Sequence, residues 1–313
     1  MAEIREIASG LQFPEGPVAL EDGSLLVVEI ARKTLTRIRP GHAPQVVAVL
    51  GGGPNGAAIG PDGRCYVCNN GGLTFIDVDG KLIPGLAPAD YAGGGIDVVD
   101  LATGRSERMY DKCGDIPLRG PNDLVFDNAG GFWFTDLGKT FKRARQRDRG
   151  AVFYAKADGS FIKQAIFPLE GPNGIGLSPD GRTLYVAETH TGRIWSYEVA
   201  GPGEIRPRKG PLPGEIGHML YAAAHYAMFD SLAIEACGNI CVADIPFGGI
   251  SVVSPAGTLV EQHRMPDMIT TNICFGGKDL RTAFITLSST GRLIAVEWPR
   301  PGLALPWLDK APS

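Results

Sequence analysis

No stretch of this 313-residue chain approaches the ~18 consecutive apolar residues that a membrane-spanning helix requires. The first residues, MAEIREIASGLQF, carry acidic side chains early and lack the apolar segment of a secretory signal. The six cysteines could form three disulfides, but the chain is long enough for an ample core, and four of the six lie in strand-like segments, where free cysteine behaves as a small hydrophobe. These absences predict a reduced, cytoplasmic protein that has no membrane partner.

An excess of basic residues is also missing. The 30 lysines and arginines are outnumbered by 34 acidic residues, which gives a net charge of −4 and a pI near 5.8. This balance argues against a nucleic-acid partner. The one basic run, KTFKRARQRDR at 139–149, is interpreted as a solvated loop. Neither G-x-S-x-G nor H-E-x-x-H occurs, so the chain carries no serine-hydrolase or zinc-hydrolase signature.

Glycine and proline, by contrast, are abundant, at 43 and 24 residues. Turn-forming residues at this density favour many short strands over long helices. A hydrophobic content of 44% allows a large core, and closed β architectures often exceed 250 residues as one domain. The composition therefore predicts an all-β protein in which residues 1–313 form one domain.

A 15-residue segment recurs six times, each copy holding an acid or amide, an apolar strand, a turn and a second strand. The copies are PEGPVALEDGSLLVV (14–28), PNGAAIGPDGRCYVC (54–68), PNDLVFDNAGGFWFT (121–135), PNGIGLSPDGRTLYV (172–186), FDSLAIEACGNICVA (229–243) and TNICFGGKDLRTAFI (271–285). The copies are spaced by 40, 67, 51, 57 and 42 residues, close to the size of a four-stranded propeller blade with variable loops. The repeat predicts a six-bladed β-propeller.

Further strands and insertions complete this prediction. Candidate third strands lie at 35–38, 73–77, 151–154, 194–199, 250–253 and 293–297. The last copy runs short of residues, so the segment 3–8 (EIREIA) is predicted to supply the missing strand of the final blade and leave no open edge. Insertions near 85–97, 137–149 and 201–228 are predicted to form loops at the ends of the channel.

The second residue of every copy is an acid or an amide: Glu15, Asn55, Asn122, Asn173, Asp230 and Asn272. Innermost propeller strands line the central channel, so these positions are expected to converge at one of its ends. Carboxylate and amide oxygens suit Ca²⁺, Mg²⁺ or Mn²⁺, and two carboxylates balance one dication. The alternative is that these residues only form turns before the strands. Six side chains of one kind in one register favour the metal site.

Several of these motifs resemble the gluconolactonase/regucalcin (senescence marker protein) family, which includes the squid-type diisopropylfluorophosphatase. The motifs are PEGP (14–17), PND (121–123), PNG (172–174), YVAETHTGRI (185–194) and FDSLAIE (229–235). The resemblance implies a six-bladed propeller with a catalytic divalent cation in its channel. It also implies that Glu15, Asn173 and Asp230 are core ligands, and that Asn122 binds the metal directly or through substrate and water.

The function implied by the resemblance is hydrolysis of a small lactone, with Asp230 as the general base and Asn122 orienting the carbonyl. Ca²⁺ is the first candidate cation, with Zn²⁺, Mn²⁺ and Mg²⁺ as alternatives. The opposite assignment, with Glu15 as the base, stays open. Two other functions also stay open: a phosphotriesterase, and a propeller that binds calcium or a carbohydrate without catalysis. The sequence does not give the oligomeric state.

Further candidates for substrate contact are Asn55, Arg119, Asp136, His190 and Asn272. His218 and His225 lie in the insertion before Asp230, where either could line the pocket. In the sugar-lactone members of the family an arginine precedes the third-blade amide by two residues. Here Arg119 precedes Asn122 by three, so the resemblance does not identify an aldonolactone as the substrate.

Overall fold

The structure is a computed structural model that describes residues 3–141, 147–208 and 216–312. Within these ranges the chain forms short antiparallel strands joined by turns, together with one 3₁₀ helix, Leu308–Lys310. In the same part of the chain, no helix has the length and apolar character needed to cross a membrane.

The strands group into six blades that follow one another along the chain. Strand β1 is Ile4–Ala8. Blade 1 holds β2 (Pro14–Ala19), β3 (Leu25–Glu29), β4 (Thr34–Ile38) and β5 (Gln45–Val49). Blade 2 begins with β6 (Pro54–Ile59) and β7 (Cys65–Asn69), followed by a separate hairpin of β8 (Phe75–Val78) and β9 (Lys81–Pro84). It ends with β10 (Gly95–Val99) and β11 (Ser106–Tyr110), after which β12 (Lys112–Cys113) and β13 (Ile116–Pro117) form a small hairpin.

The remaining blades follow the same plan. Blade 3 holds β14 (Pro121–Phe126), β15 (Gly131–Asp136), β16 (Gly150–Lys156) and β17 (Ile162–Leu169). Blade 4 holds β18 (Pro172–Leu177), β19 (Thr183–Glu188), β20 (Arg193–Gly201), β21 (Glu204–Ile205) and β22 (His218–Ala222). Blade 5 holds β23 (Met228–Ile234), β24 (Ile240–Ile245), β25 (Gly249–Val253) and β26 (Leu259–Arg264). Blade 6 holds β27 (Thr270–Gly276), β28 (Thr282–Leu287) and β29 (Arg292–Glu297).

The propeller closes as the sequence predicts. Strand β1 pairs antiparallel with β29 as the outermost strand of blade 6, with Ile4 opposite Val296 and Glu6 opposite Ile294. The first strand of each blade contacts the first strand of the next, and β27 of blade 6 contacts β2 of blade 1. The six first strands therefore surround a central channel, and the predicted six-bladed propeller with an N-terminal closing strand is confirmed.

The core lies between the blades, because each middle strand buries both of its faces. Cys65 and Cys68 of β7 illustrate this: Cys65 joins the apolar cluster against blade 1, whereas Cys68 joins the cluster against blade 3. Side chains alternate between the two faces of a strand, so residues three apart point in opposite directions. The outer strands are more exposed, as in β11, where Ser106, Glu107 and Arg108 are all exposed.

Three details of the predicted strand plan are wrong. Residues 73–77 do not form the third strand of blade 2; Gly95–Val99 does, and β8–β9 forms a hairpin outside the blade. The predicted insertion 85–97 therefore ends inside a strand. The predicted insertion 201–228 contains β22, the outer strand of blade 4. Residues 142–146 and 209–215 of the predicted insertions lie outside the described residues, and the assignment of the whole chain to one domain stays a prediction.

The end of the channel away from the repeated acid and amide positions is covered by the C-terminal segment. The backbone N–H of Leu303 donates to the carbonyl of Ile234 at 2.8 Å, and the Trp307 indole N–H donates to the carbonyl of Asp127 at 3.0 Å. Leu305 and Leu308 line the apolar interior of the channel. This segment therefore crosses from blade 5 to blade 3 and closes one end of the channel.

Candidate functional site

Every first strand carries a β-bulge beside its acid or amide residue. The pairing with the second strand shifts between Glu15 and Val18, Pro54 and Ala57, Pro121 and Leu124, Pro172 and Ile175, Phe229 and Leu232, and Thr270 and Asn272. A bulge inserts a residue into one strand and redirects the neighbouring side chains. The six side chains, here called the polar ring (Glu15, Asn55, Asn122, Asn173, Asp230 and Asn272), thus lie within or next to this irregularity in all six blades.

Close approach of the first strands explains why glycine follows the ring residue in three blades. A Cβ atom added to Gly16, which has φ of +49°, would lie 2.4 Å from the carbonyl oxygen of Asn55. A Cβ atom added to Gly174 would lie 2.6 Å from the backbone nitrogen of Leu232. The contacted atoms are backbone, which has little freedom to move. The glycines therefore permit the narrow channel that brings the ring residues together.

Glu15 is the most buried member of the ring, with 2% of its surface exposed. Its Oε2 accepts hydrogen bonds from the Asn272 side-chain amide at 2.9 Å and from the Gly16 backbone N–H at 3.0 Å. The Asn272 Oδ1 accepts the N–H of Ile273 at 2.8 Å. Asn272 therefore uses its oxygen internally and turns its amide nitrogen toward Glu15, so it supports that carboxylate and does not offer an oxygen of its own.

Asn122 and Asn173 differ from Asn272 in this respect. Both are buried, and the Oδ1 atom of each lacks a hydrogen-bond partner among the residues that the structure describes. The Asn173 Nδ2 donates to Thr189 Oγ1 at 3.1 Å, and that hydroxyl donates to the carbonyl of Phe229 at 2.7 Å. A buried carbonyl oxygen without a partner carries a desolvation cost. Two such oxygens in one ring fit a site that accepts a cation.

Burial raises the pKa of both ring carboxylates, and the charge of Glu15 raises that of Asp230 as well. Burial raises the pKa of Asp230 well above its ordinary value, the negative charge of Glu15 raises it further, and the neighbouring Asn173 amide acts in the opposite direction. Burial also raises the pKa of Glu15, which the hydrogen bonds from Asn272, Thr271 and Gly16 counteract. Asp230 retains partial exposure, unlike Glu15. A positive charge between the carboxylates would favour their ionised forms.

Asp123 is a third carboxylate that the sequence analysis did not single out. It is buried, its Oδ1 accepts the N–H of Leu124 at 2.9 Å, and it lines the channel directly below the ring. Burial is the largest cause that raises its pKa to about 7, and the charge of Glu15 adds to it. A signal was present, because blades 1, 2 and 4 have glycine at this position and blade 3 has an acid.

Two insertions cover the open end of the channel. The β8–β9 hairpin extends from blade 2 across blade 1, where Phe75 packs on Phe13 with ring centres 5.0 Å apart. It reaches blade 6, where the N–H of Leu82 donates to the carbonyl of Ser289 at 2.9 Å. The loop after β15 meets the hairpin's return segment through a bond from the Ala87 N–H to the Thr140 carbonyl at 3.1 Å. Together the hairpin and the loop after β15 cover the ring, and they are here called the roof.

A cavity of about 150 Å³ lies between this roof and the ring. Asn55 and Asn122 contribute to it from the ring, and Asn70, Lys139 and Thr140 contribute from the loops of blades 2 and 3. The predicted substrate candidate Asn55 therefore lies with Asn122 in one cavity. Lys139 and Asn70 are polar wall residues that the sequence analysis did not propose, although Lys139 begins the basic run at 139–149.

Arg119 and Asp136 lie beside this cavity and bond to other parts of the protein. The Arg119 guanidinium pairs with Asp148 at 3.0 Å. The Asp136 carboxylate accepts backbone N–H bonds from Arg119 at 2.7 Å, Gly120 at 2.7 Å and Gly138 at 2.9 Å. The carboxylates of Glu29 and Glu188 likewise accept a backbone N–H bond from the segment that leads into their own blades. The structure therefore gives Asp136 a structural role in holding the entry to blade 3.

The three histidines considered from the sequence are separated from one another. His190 is exposed and packs against Gly171. His218 is exposed on β22, where its Nδ1 lies 2.8 Å from an Arg208 nitrogen. His225 Nε2 lies 3.0 Å from the buried carboxylate of Asp244. None of them is among the residues that line the cavity between roof and ring.

The residue types present decide which kind of metal would fit. In the described ranges, no three histidine, cysteine, aspartate or glutamate side chains are grouped so that they could hold a metal by themselves. A cation at the ring would need amide oxygens besides the carboxylates of Glu15 and Asp230. Oxygen-only coordination suits a hard cation such as Ca²⁺. The unpartnered oxygens of Asn122 and Asn173 are consistent with this set.

Comparisons with known proteins agree with this architecture. The sequence profile described as "SMP-30/Gluconolactonase/LRE-like region" matches residues 13–289. A gluconolactonase of Zymomonas mobilis is 27% identical over 309 aligned residues, which cover 91% of this chain and 79% of that protein. The diisopropyl-fluorophosphatase of Loligo vulgaris is 30% identical over 197 residues, 59% of each chain. A similar crystal structure is that of a regucalcin from Agrobacterium tumefaciens, described as a calcium-binding protein. It superposes with a TM-score of 0.72 at 18% identity, and the match covers 97% of this chain and 98% of that one.

Proposed function

Since this chain belongs to the SMP-30/gluconolactonase/LRE-like family, we propose that it hydrolyses a small lactone to the hydroxy acid and requires a divalent cation at the polar ring. The proposal draws on the gluconolactonase relative for the reaction class. The observation that carries the cation is the pair of buried, unpartnered oxygens of Asn122 and Asn173 in one ring with the carboxylates of Glu15 and Asp230.

Glu15, Asn122, Asn173 and Asp230 would hold the cation, and Asn272 would fix Glu15 through its amide hydrogen bond. Ca²⁺ is the first choice because every donor is an oxygen, and the regucalcin neighbour is titled a calcium-binding protein. When bound, such a cation would polarise the ester carbonyl and offset the charge of the two carboxylates.

The other roles in the reaction fall to side chains of this protein. Asp230 is the ring carboxylate with partial exposure, so it can meet a water molecule and accept its proton as the water attacks the lactone carbonyl. Glu15 is enclosed by Asn272 and Gly16 and acts as a ligand only. Asn122 lines the cavity and would orient the carbonyl, while the roof formed by the β8–β9 hairpin limits the access of bulk water.

A substrate panel tests the reaction class. The protein loaded with Ca²⁺ is incubated with five- and six-membered lactones, and acid release is followed at constant pH against the spontaneous rate. Hydrolysis of at least one lactone class is expected. The panel also includes a fluorinated phosphotriester, because the squid relative is named a fluorophosphatase. Release of fluoride with every lactone intact would replace the lactonase with a phosphotriesterase. No turnover of either class would leave a binding protein.

A further inference from the structure

Lys139 is a buried cation whose described partners are all uncharged. Its side chain lies in the cavity wall, and the residue is 4% exposed. Its Nζ donates to the carbonyl of Gly72 at 2.7 Å and to Asn70 Oδ1 at 3.3 Å, and it lies 5.5 Å from the centre of the Tyr91 ring. Among the described residues, no carboxylate forms an ion pair with it. Desolvation lowers its pKa to about 8, and the charge of Asp136 acts in the opposite direction.

The neighbouring cations are arranged differently. Arg119 pairs with Asp148 at 3.0 Å, while Arg147 and Arg149 pair with Glu170 at 2.9 Å and 3.2 Å. Their side chains are all more than 40% exposed. Lys139 is thus the most buried of these cations, and its contacts among the residues that the structure describes include no anion. An unpaired buried charge carries a large desolvation cost, which an incoming anion can offset.

We infer that Lys139 binds a carboxylate of the substrate, so that the preferred lactone carries a free carboxylate group in addition to the ring ester. This inference rests on the proposed lactonase function and specifies its substrate class. The cavity joins the two ends of such a molecule, because Asn55 and Asn122 of the ring and Lys139 of the loop line the same space. The ring ester would lie at Asn122 and the carboxylate at Lys139.

The size of the cavity limits the substrate further. A volume of about 150 Å³ is several times the ~10–15 Å³ that a single water molecule requires. This space suits a monocyclic lactone with a carboxylate on the ring or on a short side chain. Leu73, Ala87 and Leu137 provide the apolar part of the wall against which the ring carbons would pack.

A pair of substrates that differ in one charge tests the inference. The probes are a γ-butyrolactone with a carboxylate on the carbon next to the ring oxygen, and the methyl ester of that carboxylate. For each protein the ratio of kcat/KM for the acid to kcat/KM for the ester is measured. We expect the Lys139→Met variant to lower this ratio by on the order of 10- to 100-fold relative to the unmodified protein. Comparison between proteins cancels the intrinsic reactivity of the two lactones.

Two further variants keep the test decisive. Lys139→Gln repeats the charge loss with a polar side chain, in case the methionine variant folds poorly. Lys163→Met serves as the matched control, because Lys163 Nζ also donates to a backbone carbonyl, that of Gly203 at 3.3 Å, but lies on the outer strand of blade 3. The control should keep the acid-to-ester ratio. An unchanged ratio in both Lys139 variants would overturn the inference.

A binding measurement separates failure of this inference from failure of the proposed function. Glutarate and its monomethyl ester are titrated calorimetrically into the Ca²⁺-loaded protein and into the variants. Glutarate should bind about 10-fold more tightly than the monoester, and this advantage should disappear in Lys139→Met and persist in Lys163→Met. If no lactone is hydrolysed but the advantage is found, the lactonase is wrong and the anion site stands. If lactones are hydrolysed and the two ligands bind equally, the anion site is wrong and the lactonase stands.

Discussion

The side-chain amide of Asn272 donates a hydrogen bond to the Glu15 carboxylate at 2.9 Å, although 257 residues separate them in the chain. The bond joins the first blade to the sixth at the mouth of the channel. Glu15 is buried, so a neutral donor that fixes its orientation also determines how it can approach a cation. The closure of the propeller and the geometry of its polar ring therefore depend on each other.

Replacing Asn272 with leucine should weaken divalent-cation binding by about 10- to 100-fold, the usual cost of losing a supporting contact to a ligand. Calorimetric titration with Ca²⁺ measures the change. Asn239→Leu provides the control, because Asn239 also donates its amide to a carboxylate, that of Glu235 at 2.8 Å, but on blade 5 away from the ring. Equal affinities in the two variants would mean that Asn272 does not support a ligand.

Because the channel is narrow, we expect Gly16→Ala to lower the free energy of unfolding substantially. Its Cβ would lie 2.4 Å from one backbone atom and 2.8 Å from another, at φ of +49°. We expect a loss of roughly 3 kcal/mol or more in the free energy of unfolding. Gly23→Ala, with φ of +80° and no atom within 4 Å of the added Cβ, should cost only about 1 kcal/mol. Urea denaturation compares the two, and similar losses would contradict the tight packing around Gly16.

The contacts of the C-terminal segment with Glu235 lead us to expect that the free energy of unfolding depends on pH. Burial acts to raise the pKa of Glu235, but hydrogen bonds from Arg300, Trp298 and Asn239 outweigh it and lower the pKa to about 2. Because the folded-state pKa lies below the ordinary value of 4.5, this stabilisation is present above pH 4.5 and is lost as the pH falls toward 2. Arg300→Met should therefore lower the free energy of unfolding by about 3 kcal/mol at pH 7, and by less at pH 3.

The control for that variant is Arg206→Met, which removes an arginine paired with Glu198 on the surface, where both side chains are more than half exposed. An exposed pair contributes little, so its loss should change stability by less than about 1 kcal/mol at either pH. If both variants lose the same stability at pH 7, the buried pair does not fasten the C-terminal segment.

The two ring carboxylates should respond differently to loss of charge. Asp230→Asn keeps an oxygen but removes the proposed base, so kcat should fall by about 10²- to 10⁴-fold with a smaller change in KM. Glu15→Gln should instead weaken cation binding, and excess Ca²⁺ should restore part of its rate. Asp180→Asn, in an exposed turn at the far end of blade 4, should match the unmodified protein. A rate loss in Glu15→Gln that excess cation does not restore, with Asp230→Asn active, would exchange the two roles.

Repetition in the sequence was sufficient to predict six blades and the register of the acid and amide residues, and the missing strand of the last copy was sufficient to predict closure by residues 3–8. The β8–β9 hairpin could not be predicted in the same way. Its residues have the pattern of a third strand, and only contacts distant in sequence, such as Leu82 with Ser289, place it over the channel. Asn272 shows a similar limit, since the direction of its amide depends on the buried Glu15 beside it.

Removal and restoration of the cation tests the central claim most directly. The rate of lactone hydrolysis is measured for the protein as purified, after treatment with a chelator, and after addition of Ca²⁺, with bound metal quantified at each stage. We predict one divalent cation per chain, loss of activity with its removal, and recovery on its return. The chelated protein should also unfold more readily, by roughly 2.7 kcal/mol when compared with free cation at 100 times its Kd. Full activity in metal-free protein would contradict the account.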